Sequence, residues 1–236
     1  MIINNAIKRL FDIVASFLAL IILSPFFAVI AIAIKADTKG PVFFRQERLT
    51  KNGRRFIMFK FRSMYNNSEK SGAGLFNFKG DTRVTKVGAW LRKTSIDELP
   101  QLINVLKGDM TAVGPRPPVT YELGDYETLN SRFKKRFRMK AGITGLAQIN
   151  GRNAAGWDKK VDYDNEYIDL FGRYGVLIDI KILFATVINV FKRKDIYEEK
   201  IDESMNDEEA AKAAEATVIA LAHITENEEE TAVVNR

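Results

Sequence analysis

The sequence predicts an α+β fold, mostly helical, on three observations. Residues 13–34 run 22 positions without a charge, enough for a long apolar helix. Residues 41–62 place apolar runs on both sides of Asn52-Gly53, the signature of a tight β-hairpin. Beyond residue 85 the apolar positions recur mostly at helical spacing, with glycines and prolines as stops.

Composition removes several kinds of chemistry. There is no cysteine, which excludes disulfides, thiolate nucleophiles and Cys-type zinc sites. The single histidine, His223, lies far along a charged tail, so His-based acid–base catalysis has no support. Any catalysis must rest on carboxylates, lysines, arginines and an oxygen-bound metal. The net charge of +6 conceals a division: residues 195–236 hold 13 Asp/Glu against 3 Lys/Arg, leaving 33 basic against 17 acidic residues in 1–194. A basic body suits anionic membrane surfaces, nucleic acid or phosphorylated substrates, and charge does not choose among them.

The N-terminal run, IVASFLALIILSPFFAVIAIAI, would make a helix of roughly 33 Å, the thickness of a bilayer core. It is longer than the apolar stretch of a signal peptide. Ser24-Pro25 falls at its middle, where proline removes a backbone donor. Lys8 and Arg9 on one side and Lys35 and Lys39 on the other would both favour the cytoplasm. Two half-helices in one leaflet or one kinked spanning helix satisfy the residues equally well.

In the second arm of the hairpin Ile57, Phe59 and Phe61 share one face, while Met58, Lys60 and Arg62 share the other. Two cations on one face can hold a phosphate or simply meet solvent. NNSEKSGAGLFNFKGD (66–81) reads as a mobile loop. TRVTKVGAWLRK reads as a short helix or turn carrying Arg83, Arg92 and Lys93. LPQLINVLKGDM reads as a helix, with Leu99, Leu102, Ile103 and Leu106 on its apolar stripe and Gly108 as its stop. AVGPRPP must be extended and stiff, presenting Arg116. SRFKKRFRMKAGITGLAQINGR starts as a basic amphipathic helix and becomes a glycine-punctuated loop. The next segment gathers Asp158, Asp162, Asp164, Glu166 and Asp169, and VLIDIKILFATVINVFKRK fits a core helix or one lying in a membrane interface.

Asp97 and Glu98 stand side by side in TSIDELPQL. Ser95-x-x-Glu98 has the form of a capping box. That register, however, asks Pro100 for an N–H it lacks, and a start nearer Asp97 puts the proline harmlessly in the first turn. Carboxylates there, close to Arg92 and Lys93, should stay ionised, as a nucleophile or a metal ligand requires. Structural and catalytic roles both remain open on these residues alone.

Five stretches then occur in one order: SPFF, VFFRQER, GRRFIMFKFRSM, TRVTKVGAWLRKTSIDELPQLINVLKGDMTAVGPRP and GITGLAQINGRN. Together they resemble the bacterial sugar transferase family, the monotopic polyprenyl-phosphate phosphoglycosyl transferases, over roughly residues 5–195. The resemblance is to the family's short form, essentially the catalytic domain. It implies transfer of sugar 1-phosphate from a UDP-sugar to undecaprenyl phosphate, with release of UMP, at the start of a cell-surface polysaccharide. It implies Asp97 as the nucleophile that carries the phosphosugar and Glu98 as a ligand of Mg²⁺. Arg116 is implied to touch phosphate, with Lys60, Arg62 and Arg92 as further candidates. Asp164 would support metal or substrate, or maintain the fold. The break at Ser24-Pro25 resembles the family's re-entrant hairpin in one leaflet. The expected organisation is therefore a re-entrant hairpin (1–36), a catalytic domain (37–194) with amphipathic interfacial helices, and an acidic tail (195–236). The expected location is the bacterial inner membrane, with the catalytic domain facing the cytoplasm. Ala141, where relatives commonly have proline, and FGRYG, before LIDIKIL, depart from the family's pattern.

Competing readings are a membrane-associated glycosyltransferase that releases UDP, a non-catalytic membrane scaffold, and a nucleic-acid-binding protein. None of the usual nucleic-acid motifs occurs, so no nucleic-acid partner is expected. Oligomerisation, the sugar and the glycan are left open by the sequence.

Overall fold

The long apolar segment forms a single helix, α1 (Ile2–Asp37), of 36 residues. The structure, a computed structural model, describes residues 2–66, 68, 81–150 and 156–192. Most of the expected loop 66–81 and the whole acidic tail 195–236 lie outside the described residues. Helical backbone runs unbroken through Ser24-Pro25, where the sequence predicts the break between two half-helices. Pro25 has no N–H for the carbonyl of Ile21, and Ser24 Oγ donates to that carbonyl instead, at 2.8 Å. With the orphaned acceptor satisfied, helical backbone continues through the proline.

One stripe of α1 is buried at whole-turn spacings: Lys8, Asp12, Ser16, Ile30 and Ile34. The rest is exposed and apolar, with Leu10, Phe11, Phe17, Leu18, Ile21, Ile22, Val29 and Ile32 facing outward. By length and composition the helix is able to cross a bilayer.

The hairpin forms as expected. Strands β1 (Phe43–Leu49) and β2 (Arg55–Phe61) pair antiparallel from Phe43↔Phe61 to Leu49↔Arg55. Asn52 and Gly53 take positive φ in the connecting 3-10 turn, at 58° and 70°. A Cβ on Gly53 would also stand 2.4 Å from the ring of Tyr126. On β2, Phe56 and Met58 are buried against Val105, Met110 and Ala141, whereas Ile57 is exposed. Phe61 turns the other way, into a cluster with Ile30, Ile34 and Leu91.

Helix α2 (Lys86–Thr94) starts at Thr85, whose side chain accepts from the Gly88 N–H. Helix α3 (Gln101–Lys107) ends at Gly108, with φ 89°. Its buried face is not the expected leucine stripe but Gln101, Asn104 and Val105. Asn104 has no exposed surface, and its amide pairs with the edge of β2. Its Oδ1 accepts from the Phe59 N–H at 3.0 Å, and its Nδ2 donates to the Ile57 carbonyl at 2.7 Å. A side chain thus completes the strand edge and fixes α3 against β2.

Two strands absent from the sequence reading, β3 (Met110–Val113) and β4 (Ala141–Thr144), pair in parallel. Gly114 and Gly142 let the backbones touch: a Cβ on Gly142 would lie 2.1 Å from Gly114 N. Gly142→Ala should therefore push β4 off the Gly114–Pro115 backbone. The expected loss is about 3 kcal/mol, the upper end for overpacking, read as a lower denaturant midpoint with unchanged slope.

Short helices α4 (Ser131–Lys135) and α5 (Leu146–Asn150) precede the long α6 (Trp157–Tyr174) and α7 (Val176–Lys192). Val113, Tyr167, Ile168, Phe171 and Ile182 join β3, α6 and α7 in one core cluster. The acids gathered on α6 mostly face α4: Arg132 pairs with Asp158 and Asp162, and Lys135 with Asp169. On α7, Leu177, Ile180, Phe184 and Ile188 leave an exposed apolar stripe. Helix α1 packs into the same compact unit as the elements that follow it.

Candidate functional site

The turn between α2 and α3 presents the two adjacent carboxylates. Ser95 caps α2 in the left-handed conformation, φ 58°, and reverses the chain into a 3-10 turn, Ile96–Glu98. Its side chain makes no cap bond there, so the capping-box form of Ser95-x-x-Glu98 is not realised. Pro100 stands just before the first residue of α3, where its missing N–H has no consequence. Asp97 is buried and Glu98 half-buried. Lys60 Nζ on β2 holds Glu98 Oε1 at 2.8 Å. The Asn104 amide ties α3 to the same strand, at Ile57 and Phe59.

Arg62 is not brought to this pair. Strand β2 ends at Phe61, and beyond it the Arg62 guanidinium turns into the C-terminal end of α1. It donates to the carbonyls of Thr38 at 2.8 Å, Lys39 at 2.9 Å and Pro41 at 2.7 Å, with Ile34 at 3.5 Å. Three of those oxygens follow the helix end directly, so a buried cation there is compensated by backbone carbonyl dipoles. Arg62 is a clamp on α1, which corrects its expected place among phosphate-binding residues. Arg92 is half-buried in the last turn of α2, and its charge acts on Asp81, whose carboxyl is held below the usual range chiefly by Arg83.

Arg116 lies where the stiff segment was expected to present it. The segment runs beside the end of β1: the Leu49 N–H donates to the Pro118 carbonyl at 3.0 Å, and Arg48 bridges to Val119. Arg116 is half-buried, and among the described residues its guanidinium makes no hydrogen bond or ion pair.

Two residues that sequence reading did not single out shape this region. Arg48 is half-buried and donates to the Pro117 carbonyl at 2.9 Å and to Gln46. Burial, followed by the neighbouring charge of Arg116, lowers its pKa to about 10, while Glu122 and Glu98 oppose that shift. The fields of Arg48, Arg116 and Glu98 therefore overlap. Arg136 is the second. Its Nη2 donates to the Arg116 carbonyl and stands 2.7 Å from Asp164 Oδ2, both side chains being 1% exposed. The ion pair is off the ideal hydrogen-bond direction, and Arg136 Nε and Nη1 have no hydrogen-bond partner among the described residues. Trp157, with its ring centre 4.8 Å from the guanidinium, covers one face. Burial pushes the Asp164 carboxyl up, and the Arg136 cation opposes it. Of the two roles expected for Asp164, its burial against Arg136 fits maintenance of the fold. It pairs with Arg136, whose Nη2 grips the Arg116 peptide at its carbonyl. The signal for Arg136 was hidden in KKRFR, where only one cation turns inward.

The arrangement sets two adjacent carboxylates in one turn with a lysine on the second of them, and leaves the Arg116 guanidinium able to receive an anion. Chemically this suits a carboxylate nucleophile or metal ligand facing a phosphate.

The family model described as bacterial sugar transferase matches residues 3–193. The chain is 44% identical over 200 residues to a UDP-glucose:undecaprenyl-phosphate glucose-1-phosphate transferase of Klebsiella pneumoniae, covering 83% of this chain and 42% of that protein. It is 40% identical over 208 residues to an undecaprenyl-phosphate galactose phosphotransferase of Salmonella typhimurium, covering 82% and 42%. It is 38% identical over 195 residues to an exopolysaccharide production protein of Rhizobium leguminosarum, covering 79% and 96%. The chain thus spans about two fifths of the first two relatives and nearly the whole of the third. A match over this much of the chain, with the Asp97–Glu98 turn and Arg116 inside it, means that the chain belongs to the bacterial sugar transferase family.

Proposed function

We propose that the protein transfers a sugar 1-phosphate from a UDP-sugar to undecaprenyl phosphate, releasing UMP, and so starts an exopolysaccharide or another surface glycan. The names of its relatives supply the substrate class. The observation that carries the reading is the turn that holds Asp97 beside Glu98, with Lys60 on Glu98 and the charges of Arg48 and Arg116 close by.

In this reading an Asp97 carboxylate oxygen attacks the β-phosphorus of the donor. The bond from that phosphorus to the bridging oxygen breaks, and UMP leaves with the electron pair. An oxygen of the lipid phosphate then attacks the same phosphorus. The acyl-phosphate bond breaks, Asp97 regains its carboxylate, and the sugar becomes joined to the lipid through a diphosphate. A carboxylate nucleophile needs no general base, which fits a chain with a single histidine, far along its acidic stretch. Arg116 offsets charge on the transferring phosphoryl group, and Lys60 keeps Glu98 in place.

Asp97 and Glu98 also fit Mg²⁺, which binds through one or two carboxylates together with substrate phosphates. The described residues contain no larger cluster of metal-ligating side chains, and that donor set needs none. When bound, the ion supplies neutralisation of phosphate charge.

The same reading puts the protein at the cytoplasmic face of the inner membrane, inserted in one leaflet. Lys8 and Asp12 near one end of α1 bond to Val113 and Ala112, while Ile30 and Ile34 near the other pack on Phe61 and Leu91. A spanning helix would leave one end across the bilayer from the body, whereas both ends of α1 meet the same body. Its exposed middle, Phe17 to Phe26, is the part suited to lipid.

The test is nucleotide release by detergent-purified protein given Mg²⁺, undecaprenyl phosphate and a panel of UDP-sugars. UMP from one donor is the expected result and names the sugar. UDP would show ordinary glycosyl transfer instead, and no release from any common UDP-sugar would count against the reading.

A further inference from the structure

At the end of α3 away from Asp97 and Glu98, cations converge without enough acceptors. Arg9 of α1 reaches over this end and donates to the carbonyls of Val105 at 2.6 Å and Leu106 at 2.9 Å. Gly108 follows, and the point where its Cβ would stand is 3.2 Å from Arg9 Nη2 and 3.5 Å from Lys140 Nζ. Lys51, Arg54 and Lys107 surround the same end. The nearby carboxylates are already engaged: Asp109 by Arg54 at 3.0 Å and Lys107 at 3.5 Å, and Asp12 by Thr111 Oγ1 at 2.6 Å and the Ala112 N–H at 2.9 Å.

Lys140 is the residue left over. It is half-buried, and among the described residues its ammonium makes no hydrogen bond or ion pair. Its pKa lies below the usual lysine value, first through burial and then through the charge of Arg9, with Arg54 and Lys51 adding to this and Asp12 opposing it. A partly desolvated ammonium facing other cations is unfavourable unless an anion completes the group. The location says what kind of anion. Arg9 stands between buried Lys8 and the exposed apolar side chains Leu10 and Phe11, 65% and 54% exposed, so the cations border a surface suited to lipid chains.

We propose that Arg9 and Lys140, over Gly108, bind the phosphate of an anionic phospholipid headgroup, at a site separate from Asp97 and Glu98. The lipid's chains lie along the exposed face of α1, and its phosphate receives Lys140 Nζ and the outer edge of the Arg9 guanidinium. Lys51 and Arg54 add long-range attraction. The site does not depend on the proposed transfer reaction.

The test measures thermal unfolding of the full chain in neutral detergent with water-soluble dioctanoyl phosphatidylglycerol. Dioctanoyl phosphatidylcholine and inorganic phosphate form the comparison arms. A hundredfold excess over Kd should raise the midpoint of the wild type by about 5 °C. Lys140→Met, which removes charge from a half-buried site and should fold at least as well, is expected to lose that shift. Lys159→Met, at an exposed cation elsewhere, should keep it. An equal shift in Lys140→Met, no shift with phosphatidylglycerol, or the same shift from phosphatidylcholine would overturn the proposal. An equal shift from inorganic phosphate would also overturn it, by showing a free-phosphate site.

Discussion

Asp97→Asn should abolish UMP release while leaving the fold intact. The substitution keeps the shape of a buried side chain and removes the charge that makes the oxygen nucleophilic. Turnover should fall at least about a thousandfold, the scale seen when a covalent catalyst loses its attacking group. Two measurements check it. Nucleotide release reports turnover. Intact-protein mass after incubation with donor and Mg²⁺ alone should show a phosphosugar adduct on the wild type and none on Asp97→Asn. Near-wild-type release by the variant would remove Asp97 as nucleophile, whatever its melting midpoint.

The second large effect concerns Arg136 and Asp164. Arg136→Met leaves a buried carboxylate without its cation, and the expected cost is about 3–5 kcal/mol of stability. Replacing both partners, as Arg136→Met with Asp164→Leu, leaves no buried charge and should recover most of that stability. Yet the recovered protein should be about a hundredfold slower, because Arg116 loses the grip on its peptide and a small displacement of a phosphate-holding group costs that much. In an Arg116→Ala background, itself severely impaired in donor use, the double replacement should cost almost nothing further. Such non-additivity is what a positioning role predicts. An additive loss would mean that the pair acts on activity by another route. A stable double variant with full activity would mean that it does not position Arg116 at all.

The hairpin, α7 and the turn before α3 were legible because each rests on a local signal: Asn52-Gly53, a long apolar period, and a proline tolerated only at a helix start. The carboxylate pair was legible for the same reason. The β3–β4 pair was not, since each strand is four residues long and GIT within AGIT looks like part of a glycine loop. Only contact between segments some thirty residues apart makes them strands. Arg62 misled because strand alternation was extended one residue past the end of β2. Asn104 was invisible because polar burial depends on the partner edge and not on its own helix. Ser24-Pro25 marks a weak point correctly, but the hydroxyl that repairs it acts in three dimensions.

Helix α1 has a consequence for how the protein is made. Lys8 bonds Asp179 at 2.5 Å and the Val113 carbonyl at 2.8 Å, and Tyr167 donates to the same Asp179 at 2.7 Å. Asp12 holds Thr111 and Ala112. Helix α1 thus leaves the ribosome carrying polar groups whose partners are synthesised 99 to 171 residues later. Until then Lys8, Asp12 and Ser16 keep the N-terminal turns near water while the middle of the helix seeks lipid. Membrane insertion and completion of the core are therefore one coupled act of biogenesis. The catalytic region cannot be freed by trimming at Asp37, because the cut would leave Asp179 without its cation, the Val113 carbonyl without its lysine donor and the Ala112 N–H without its acceptor.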